Sequence, residues 1–162
     1  MHDIAIYPGT FDPITNGHVD IIERGSKMFG KIVVAVAEQT AKSCLFTADE
    51  RVEMAKIATK HIKNVIIEKF TGLAVEYVKN QNGAVMLRGL RAVSDFEYEL
   101  QMALANRELC ENVETVFLTP KSKYLYLSSS LVKQIISAGG DVQQWAHEKV
   151  IEKLKTKLAF DK

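Results

Sequence analysis

The segment that decides the fold spans residues 4–18 and reads IAIYPGTFDPITNGH. It opens with a short apolar run, residues 4–7, which favours a buried strand. Two prolines and two glycines then shape a turn, and Asn16 can cap a helix that begins at Gly17. A strand, a shaped turn and a capped helix form the first part of a strand–helix–strand unit, which predicts an α/β domain.

The same alternation continues along the chain. Residues 32–37 are almost continuously apolar and rich in β-branched side chains, as expected of a parallel strand buried on both faces. Shorter apolar runs at 65–67, 84–87 and 113–118 alternate with stretches of helical periodicity, and the longest of these has apolar residues at positions 93, 96, 100, 103 and 104. The pattern predicts a Rossmann-like, doubly wound five-stranded parallel sheet with helices on both faces.

Helix boundaries are also marked in the sequence. Thr47 is followed three residues later by Glu50, which is a capping-box pattern. Gly139 and Gly140 follow a helical stretch and indicate its C-terminal end. The serines at 128–130 are suited to cap a helix N-terminus.

Composition limits the class of protein. The chain has 162 residues, 47% of them apolar, and shows no linker or internal repeat, which predicts one domain over residues 1–162. The 21 basic and 20 acidic residues give a net charge of +1, which argues against a nucleic-acid-binding domain. No apolar run approaches the roughly 20 residues that span a bilayer. There is no signal-like N-terminus, and the two cysteines show no metal-binding or redox spacing. We therefore expect a cytoplasmic protein with no nucleic-acid or membrane partner.

The turn after the first strand is the first expected ligand site, because ligands of open parallel sheets bind beyond the carboxyl ends of the strands. Gly9 and Gly17 let backbone amides approach a ligand closely, and the following helix N-terminus favours an anion. Thr10, Thr15 and His18 add hydroxyl and imidazole groups. The turn therefore predicts a phosphate site, although it matches neither G-x-G-x-x-G nor the P-loop, which argues against dinucleotide dehydrogenases and Walker NTPases.

Thr15, Gly17 and His18 match the T/H-x-G-H signature of the nucleotidyltransferase superfamily. The longer string at residues 7–18, YPGTFDPITNGH, resembles that of the bacterial phosphopantetheine adenylyltransferases. The shorter signature is common, whereas a match over twelve residues at the end of the first strand is specific.

Two further segments resemble the same family. Residues 88–99 read RGLRAVSDFEYE and follow the fourth predicted strand, where the forked guanidinium groups of two arginines suit phosphate. Residues 124–133 read YLYLSSSLVK and are similar to the superfamily motif I-S-S-x-x-x-R/K, with Leu127 in place of isoleucine and Lys133 in the basic position. The resemblance therefore extends over nearly the whole chain.

The resemblance implies a role for each matched residue. The implied catalytic residues are Thr10, His18, Lys42 and Arg91. The implied ATP-binding residues are Thr10, Phe11, His18, Gly89, Leu90, Arg91, Glu99, Tyr124, Leu125, Tyr126, Leu127, Ser128, Ser129 and Ser130. The implied acceptor-binding residues are Thr10, Lys42, Leu73, Ala74 and Arg88. The chain departs from many relatives at Cys44, where they carry proline, and from some at Ala74, where they carry a larger residue.

The implied reaction transfers AMP from ATP to 4′-phosphopantetheine and yields dephospho-coenzyme A and pyrophosphate. A phosphate monoester is mostly dianionic at pH 7, because its second pKa is about 6, so the nucleophile needs no general base. The site must align two anions and neutralise charge on the α-phosphate, a role expected of His18 and Lys42. Mg²⁺ is expected to be carried mainly by the ATP phosphates, since no carboxylate cage is visible in the sequence. Relatives of this family imply a homohexamer.

Other functions remain open from the residues alone, which predict only an α/β enzyme that binds nucleotide phosphates. Nicotinate-nucleotide adenylyltransferases and glycerol-phosphate cytidylyltransferases share the first motif but not the string at 88–99. A non-catalytic nucleotide sensor on the same fold would be expected to lose His18 or the serines. A flavodoxin-like electron carrier would have a phosphate loop richer in serine and threonine, with no histidine in the first turn.

Overall fold

A computed structural model of the chain describes residues 3–39, 43–81, 85–91 and 93–160. Within these ranges there are five strands, β1 Ile4–Gly9, β2 Lys31–Ala37, β3 Val65–Phe70, β4 Val85–Gly89 and β5 Glu114–Leu118. The described residues also form six α-helices, α1 Asn16–Gly25, α2 Ala48–Thr59, α3 Ala74–Asn80, α4 Val93–Leu109, α5 Ser129–Ser137 and α6 Glu148–Phe160. A 3-10 turn, Ser122–Tyr124, lies between β5 and α5.

The strands form one parallel sheet with the order β3-β2-β1-β4-β5. This arrangement confirms the predicted Rossmann-like fold. The strand order reverses between β1 and β4, because the chain leaves β3 at one edge and returns to the middle of the sheet. The carboxyl ends of β1 and β4 therefore flank the crevice where ligands of such sheets bind.

The sheet is covered on both faces. The larger core layer lies under α1, α2, α5 and α6. It contains Ile32, Val34 and Val36 of β2 together with Met54 and Leu154. The smaller layer lies on the other face and contains Ile6, Val33, Val75, Val78 and Met86. Residues 32–36 are all buried, which explains why β2 is continuously apolar instead of alternating.

Three residues of the apolar stripe predicted on the longest helix are exposed. Phe96, Leu100 and Leu104 are 44%, 39% and 53% exposed on α4. Tyr98, Met102 and Leu109 are also exposed, so apolar side chains occur on more than one side of this helix. Periodicity identifies which residues of a helix share a face, whereas burial depends on what packs against that face.

Two local predictions need correction and two are confirmed. The N-cap of α1 is Thr15 and not Asn16, and the helix begins at Asn16. The backbone N–H of Asn16 donates to the Trp145 carbonyl at 2.7 Å. Strand β3 continues to Phe70, three residues past its predicted end, because its ladder with β2 continues through polar residues. The Thr47–Glu50 capping box is present. Gly139, at φ 81°, follows α5 as predicted.

Candidate active site

A cavity of about 640 Å³ opens beyond the carboxyl ends of β1 and β4. Most of its wall comes from three segments that are distant in sequence, namely the turn between β1 and α1, the end of β4 with α4, and the start of α5, and Ser43, Cys44 and Pro120 complete it. Of the residues expected to form the site, those that line this cavity are Thr10, Phe11, His18, Arg88, Gly89, Arg91, Glu99, Leu127, Ser128, Ser129 and Ser130.

Other expected site residues do not line the cavity. Leu90, Tyr124, Leu125 and Tyr126 are not part of its wall. The last three of them lie shortly before the serines at 128–130, which are part of the wall. Leu73 and Ala74 lie at the start of α3, also outside it. Lys42 lies outside the described residues.

The His18 side chain is held in one tautomer by its own helix N-terminus. The backbone N–H of Thr15 donates to His18 Nδ1 at 3.0 Å. Because Nδ1 accepts this bond, the neutral ring carries its proton on Nε2. The Phe11 ring packs edge-on against the imidazole, with ring centroids 5.2 Å apart. His18 is thus positioned to present one N–H donor.

Burial, together with the nearby charges of Arg91 and Arg88, lowers the pKa of His18 to about 4. The imidazole is therefore neutral at physiological pH. A neutral imidazole whose Nδ1 is already occupied is a hydrogen-bond donor at Nε2 and not a general base.

This assignment predicts a titration that NMR can follow. The ring proton signals of His18 should shift with a midpoint near pH 4, well below the ordinary histidine value. Because the unfolded chain protonates this residue first, protonation of His18 should destabilise the fold as the pH falls from about 6.5 towards 4. Replacing Arg91 by methionine removes one of the two positive charges and should raise the midpoint. An unchanged midpoint in that variant would contradict the electrostatic part of this explanation.

Each described cation in the cavity wall has a carboxylate partner. Arg88 donates to Glu99 through Nε at 2.8 Å and through a terminal nitrogen at 2.6 Å. Arg91 donates to Asp95 at 3.0 Å, and Lys133 donates to Asp12 at 2.6 Å. The described part of the site is therefore a set of oriented donors with nearly balanced charge, and not the unpaired cationic cradle that the arginines by themselves would form.

Backbone contacts complete the orientation of the two arginines. Arg88 donates to the Pro8 carbonyl at 2.9 Å, which ties β4 to the carboxyl end of β1. Arg91 donates to the Leu127 carbonyl at 2.8 Å, which ties the residues after β4 to the segment before α5. The two arginines therefore link the β4 side of the cavity to β1 and to the segment before α5.

Asp12 and Arg51 tie the turn between β1 and α1 to the segment that precedes α2. The buried Asp12 carboxylate accepts from the backbone N–H groups of Leu45 and Phe46, both at 3.0 Å. Arg51 donates to the carbonyls of Thr10 at 2.7 Å, Ala37 at 2.8 Å and Phe46 at 3.2 Å. Neither residue stands out in the sequence, because an aspartate in a turn and an arginine on a helix carry no signal of burial.

The serines at the start of α5 have different contacts. Ser128 is the N-cap, and its Oγ accepts from the Leu131 N–H at 3.1 Å, which leaves its hydroxyl proton able to donate. Ser129 donates its hydroxyl proton to the Pro13 carbonyl at 2.7 Å. Ser130 is exposed. The predicted helix cap is confirmed, and Ser129 has a structural bond that the sequence did not indicate.

The model of the cytidylyltransferase-like family matches residues 6–135, which run from β1 into α5 and include all three segments around the cavity. The chain belongs to the cytidylyltransferase-like family. This membership places it in the nucleotidyltransferase superfamily, as the T-x-G-H signature at residues 15–18 predicts.

Solved structures of other proteins share the fold of this cytidylyltransferase-like protein. A candidate nicotinate-nucleotide adenylyltransferase from Vibrio parahaemolyticus is similar with a TM-score of 0.72 at 16% identity, over 100% of this chain and 98% of that one. The nicotinic acid mononucleotide adenylyltransferase of Plasmodium falciparum, complexed with NaAD, gives 0.72 at 16% identity, over 99% and 98%. A lipopolysaccharide core biosynthesis protein from Thermoplasma volcanium gives 0.55 at 20% identity, over 74% and 98%.

Gly9 of this cytidylyltransferase-like protein has a packing role that differs from the one expected. A Cβ at this position would lie 2.8 Å from the Phe11 ring, so the glycine makes room for that ring. Phe11 itself has φ 52°, a backbone region that bulky residues rarely adopt. Glycine at position 9 therefore lets Phe11 fold back beneath the turn and contact His18.

Metal and membrane features are absent from the residues that the structure describes. Within residues 3–39, 43–81, 85–91 and 93–160, no group of three or more His, Cys, Asp or Glu side chains is arranged to hold a metal ion. In the same ranges, the helices are all too short or too polar to cross a bilayer.

Proposed function

We propose that this protein transfers AMP from ATP to 4′-phosphopantetheine and releases dephospho-coenzyme A and pyrophosphate. One observation carries the proposal: the three segments that resemble phosphopantetheine adenylyltransferases line a single cavity at the point where the strand order reverses. Family membership supports nucleotidyl transfer, and the strings at residues 7–18 and 88–99 support this particular acceptor.

The nucleotide would lie between α1 and α5. His18 would donate from Nε2 to the α-phosphate as charge develops in the transition state. Arg91 and the serines at 128–130 would hold the β- and γ-phosphates at the N-terminus of α5, where free backbone N–H groups favour anions. We assign Lys42 a second donor role at the α-phosphate, by resemblance alone.

The chemistry needs no base from the protein. A terminal oxygen of the dianionic acceptor phosphate attacks the α-phosphorus, the bond from that phosphorus to the bridging oxygen of the β-phosphate breaks, and pyrophosphate leaves with the electron pair. Thr10, which is exposed in the cavity wall, would position the two reacting phosphates. The neutral state of His18 fits this scheme, because the nucleophile arrives already deprotonated.

The acceptor would bind on the Arg88 side of the cavity. Three of the five guanidinium N–H donors of Arg88 are engaged with Glu99 and Pro8, so two remain for the acceptor phosphate. The exposed Leu73 side chain and Ala74, at the start of α3, would contact the pantetheine arm beyond the cavity.

Mg²⁺ would be bound by the triphosphate and not by a protein cage. The two carboxylates in the cavity wall, Asp12 and Glu99, are engaged with Lys133 and Arg88. The described donor set therefore does not fit a dedicated magnesium site. When bound, the ion would neutralise phosphate charge.

The decisive assay measures pyrophosphate release with ATP, Mg²⁺ and 4′-phosphopantetheine. Parallel reactions use nicotinate mononucleotide with ATP, and glycerol phosphate with CTP. We expect turnover with the first acceptor to exceed the others by at least about 10³-fold in kcat/KM, since the site must place a specific phosphate in line. Higher activity with nicotinate mononucleotide would favour the second candidate, a nicotinate-nucleotide adenylyltransferase, to which the structural neighbours point.

We also propose that the protein acts in the cytoplasm as a homohexamer. The exposed apolar residues of α4 support self-association, because a helix that is apolar on several sides is usually buried. Sedimentation velocity at micromolar protein concentration tests this, and a monomer would contradict it.

A further inference from the structure

Tyr7 is a buried phenol in the floor of the cavity that the mechanism above does not use. It lies near the carboxyl end of β1 and is only 6% exposed, yet it is part of the cavity wall. Its ring packs edge-on against Phe11, with centroids 5.4 Å apart. The His18 ring centroid is 6.5 Å away. Tyr7 is thus part of the same aromatic group that positions His18.

The hydroxyl of Tyr7 lies at the carboxyl end of β4. It lies beside Gly89, where an added Cβ would be only 3.3 Å from the oxygen. Because Gly89 has no side chain, the Tyr7 hydroxyl is not covered on that side. Gly89 and His18 are both residues to which the proposed function assigns ATP contacts.

This hydroxyl has no hydrogen-bond partner among the residues that the structure describes. Buried tyrosine hydroxyls usually find one, because an unpaired buried polar group is costly. Among the described residues, the side-chain atom that is both fully enclosed and without a hydrogen bond is Asp20 Oδ1. The Tyr7 oxygen is not in that class, so it is not sealed in the core. A donor that is buried, unpaired and open to a cavity is suited to a ligand acceptor.

We propose that the Tyr7 hydroxyl donates a hydrogen bond to an oxygen of the bound nucleotide next to the α-phosphate, between His18 and Gly89. The surroundings favour the donor form, since burial raises the pKa of Tyr7 to about 12. The hydroxyl therefore remains protonated at any pH at which the protein would act. The inference rests on the proposed nucleotide site but not on the identity of the acceptor.

The test replaces Tyr7 by phenylalanine, which removes only the hydroxyl. Isothermal titration calorimetry with MgATP alone should show a Kd about 10- to 100-fold higher than that of the wild type, as expected for one hydrogen bond to a charged group. Thermal unfolding of the ligand-free variant should occur at the wild-type temperature or above it, because no intramolecular bond is lost.

The matched control is Tyr77→Phe, on α3. The Tyr77 hydroxyl donates to Glu68 at 2.6 Å and lies outside the cavity wall. This variant should bind MgATP as the wild type does and unfold at a lower temperature, the reverse of the pattern expected for Tyr7→Phe.

Unchanged MgATP affinity in Tyr7→Phe would overturn the inference, and a lower unfolding temperature with unchanged affinity would show that the hydroxyl is structural. If the wild type binds MgATP but does not use 4′-phosphopantetheine, only the acceptor assignment fails. If the wild type does not bind MgATP at all, both proposals fail.

Discussion

Replacing His18 by alanine is expected to lower kcat for AMP transfer about 10²- to 10³-fold, the loss typical of removing one preorganised donor to a developing charge. The Kd for MgATP should change by less than about threefold, because a transition-state contact contributes little to ground-state binding. The structural basis is the hydrogen bond from the Thr15 N–H to His18 Nδ1. Because Nδ1 is the acceptor, the ring proton is on Nε2, from which it can be donated to a ligand in the cavity.

Steady-state kinetics and calorimetry with MgATP together check this expectation. His61→Ala is the matched control, because His61 is an exposed residue paired with Glu23 outside the cavity wall. The control should keep wild-type kcat. Equal losses of kcat and of MgATP affinity in His18→Ala would contradict a transition-state role and indicate ordinary binding.

Replacing Arg51 by methionine is expected to lower the free energy of unfolding by about 3 kcal/mol, because buried acceptors lose their donor. Arg51 is 2% exposed and bonds to three carbonyls, those of Thr10, Ala37 and Phe46. Methionine fills much of the same volume, so the loss reports the bonds more than a cavity. For a chain of this size, the unfolding temperature should fall by roughly 6–12 °C.

Urea unfolding followed by Trp145 fluorescence measures this change, provided that the transition is two-state. Lys56→Met provides the control on the same helix, since Lys56 is exposed. A charge removed from the surface of α2 should cost less than about 0.5 kcal/mol. If Arg51→Met is equally mild, the buried guanidinium does not hold the turn to the segment before α2.

Much of the site could be predicted from the sequence because its residues follow strands. A parallel sheet brings the carboxyl ends of its strands to one edge, so strings after β1 and β4 meet even though about eighty residues separate them. The shared cavity of His18 and Arg91 follows from that topology. The ion pairs do not, because which carboxylate faces which cation depends on helix placement, as Glu99 and Asp12 show.

The amino-acid pattern by itself determined the fold class, the parallel strands, the Thr47 cap, the serine cap of α5 and the nucleotidyltransferase superfamily. These depend on local periodicity and short strings, which a linear chain displays directly. Tertiary structure alone decided that His18 is neutral, that Arg51 is buried, that Tyr7 opens into the cavity and that apolar side chains of α4 are exposed. The physical reason is that burial and electrostatic environment are set by neighbours from distant parts of the chain, and no local pattern records them.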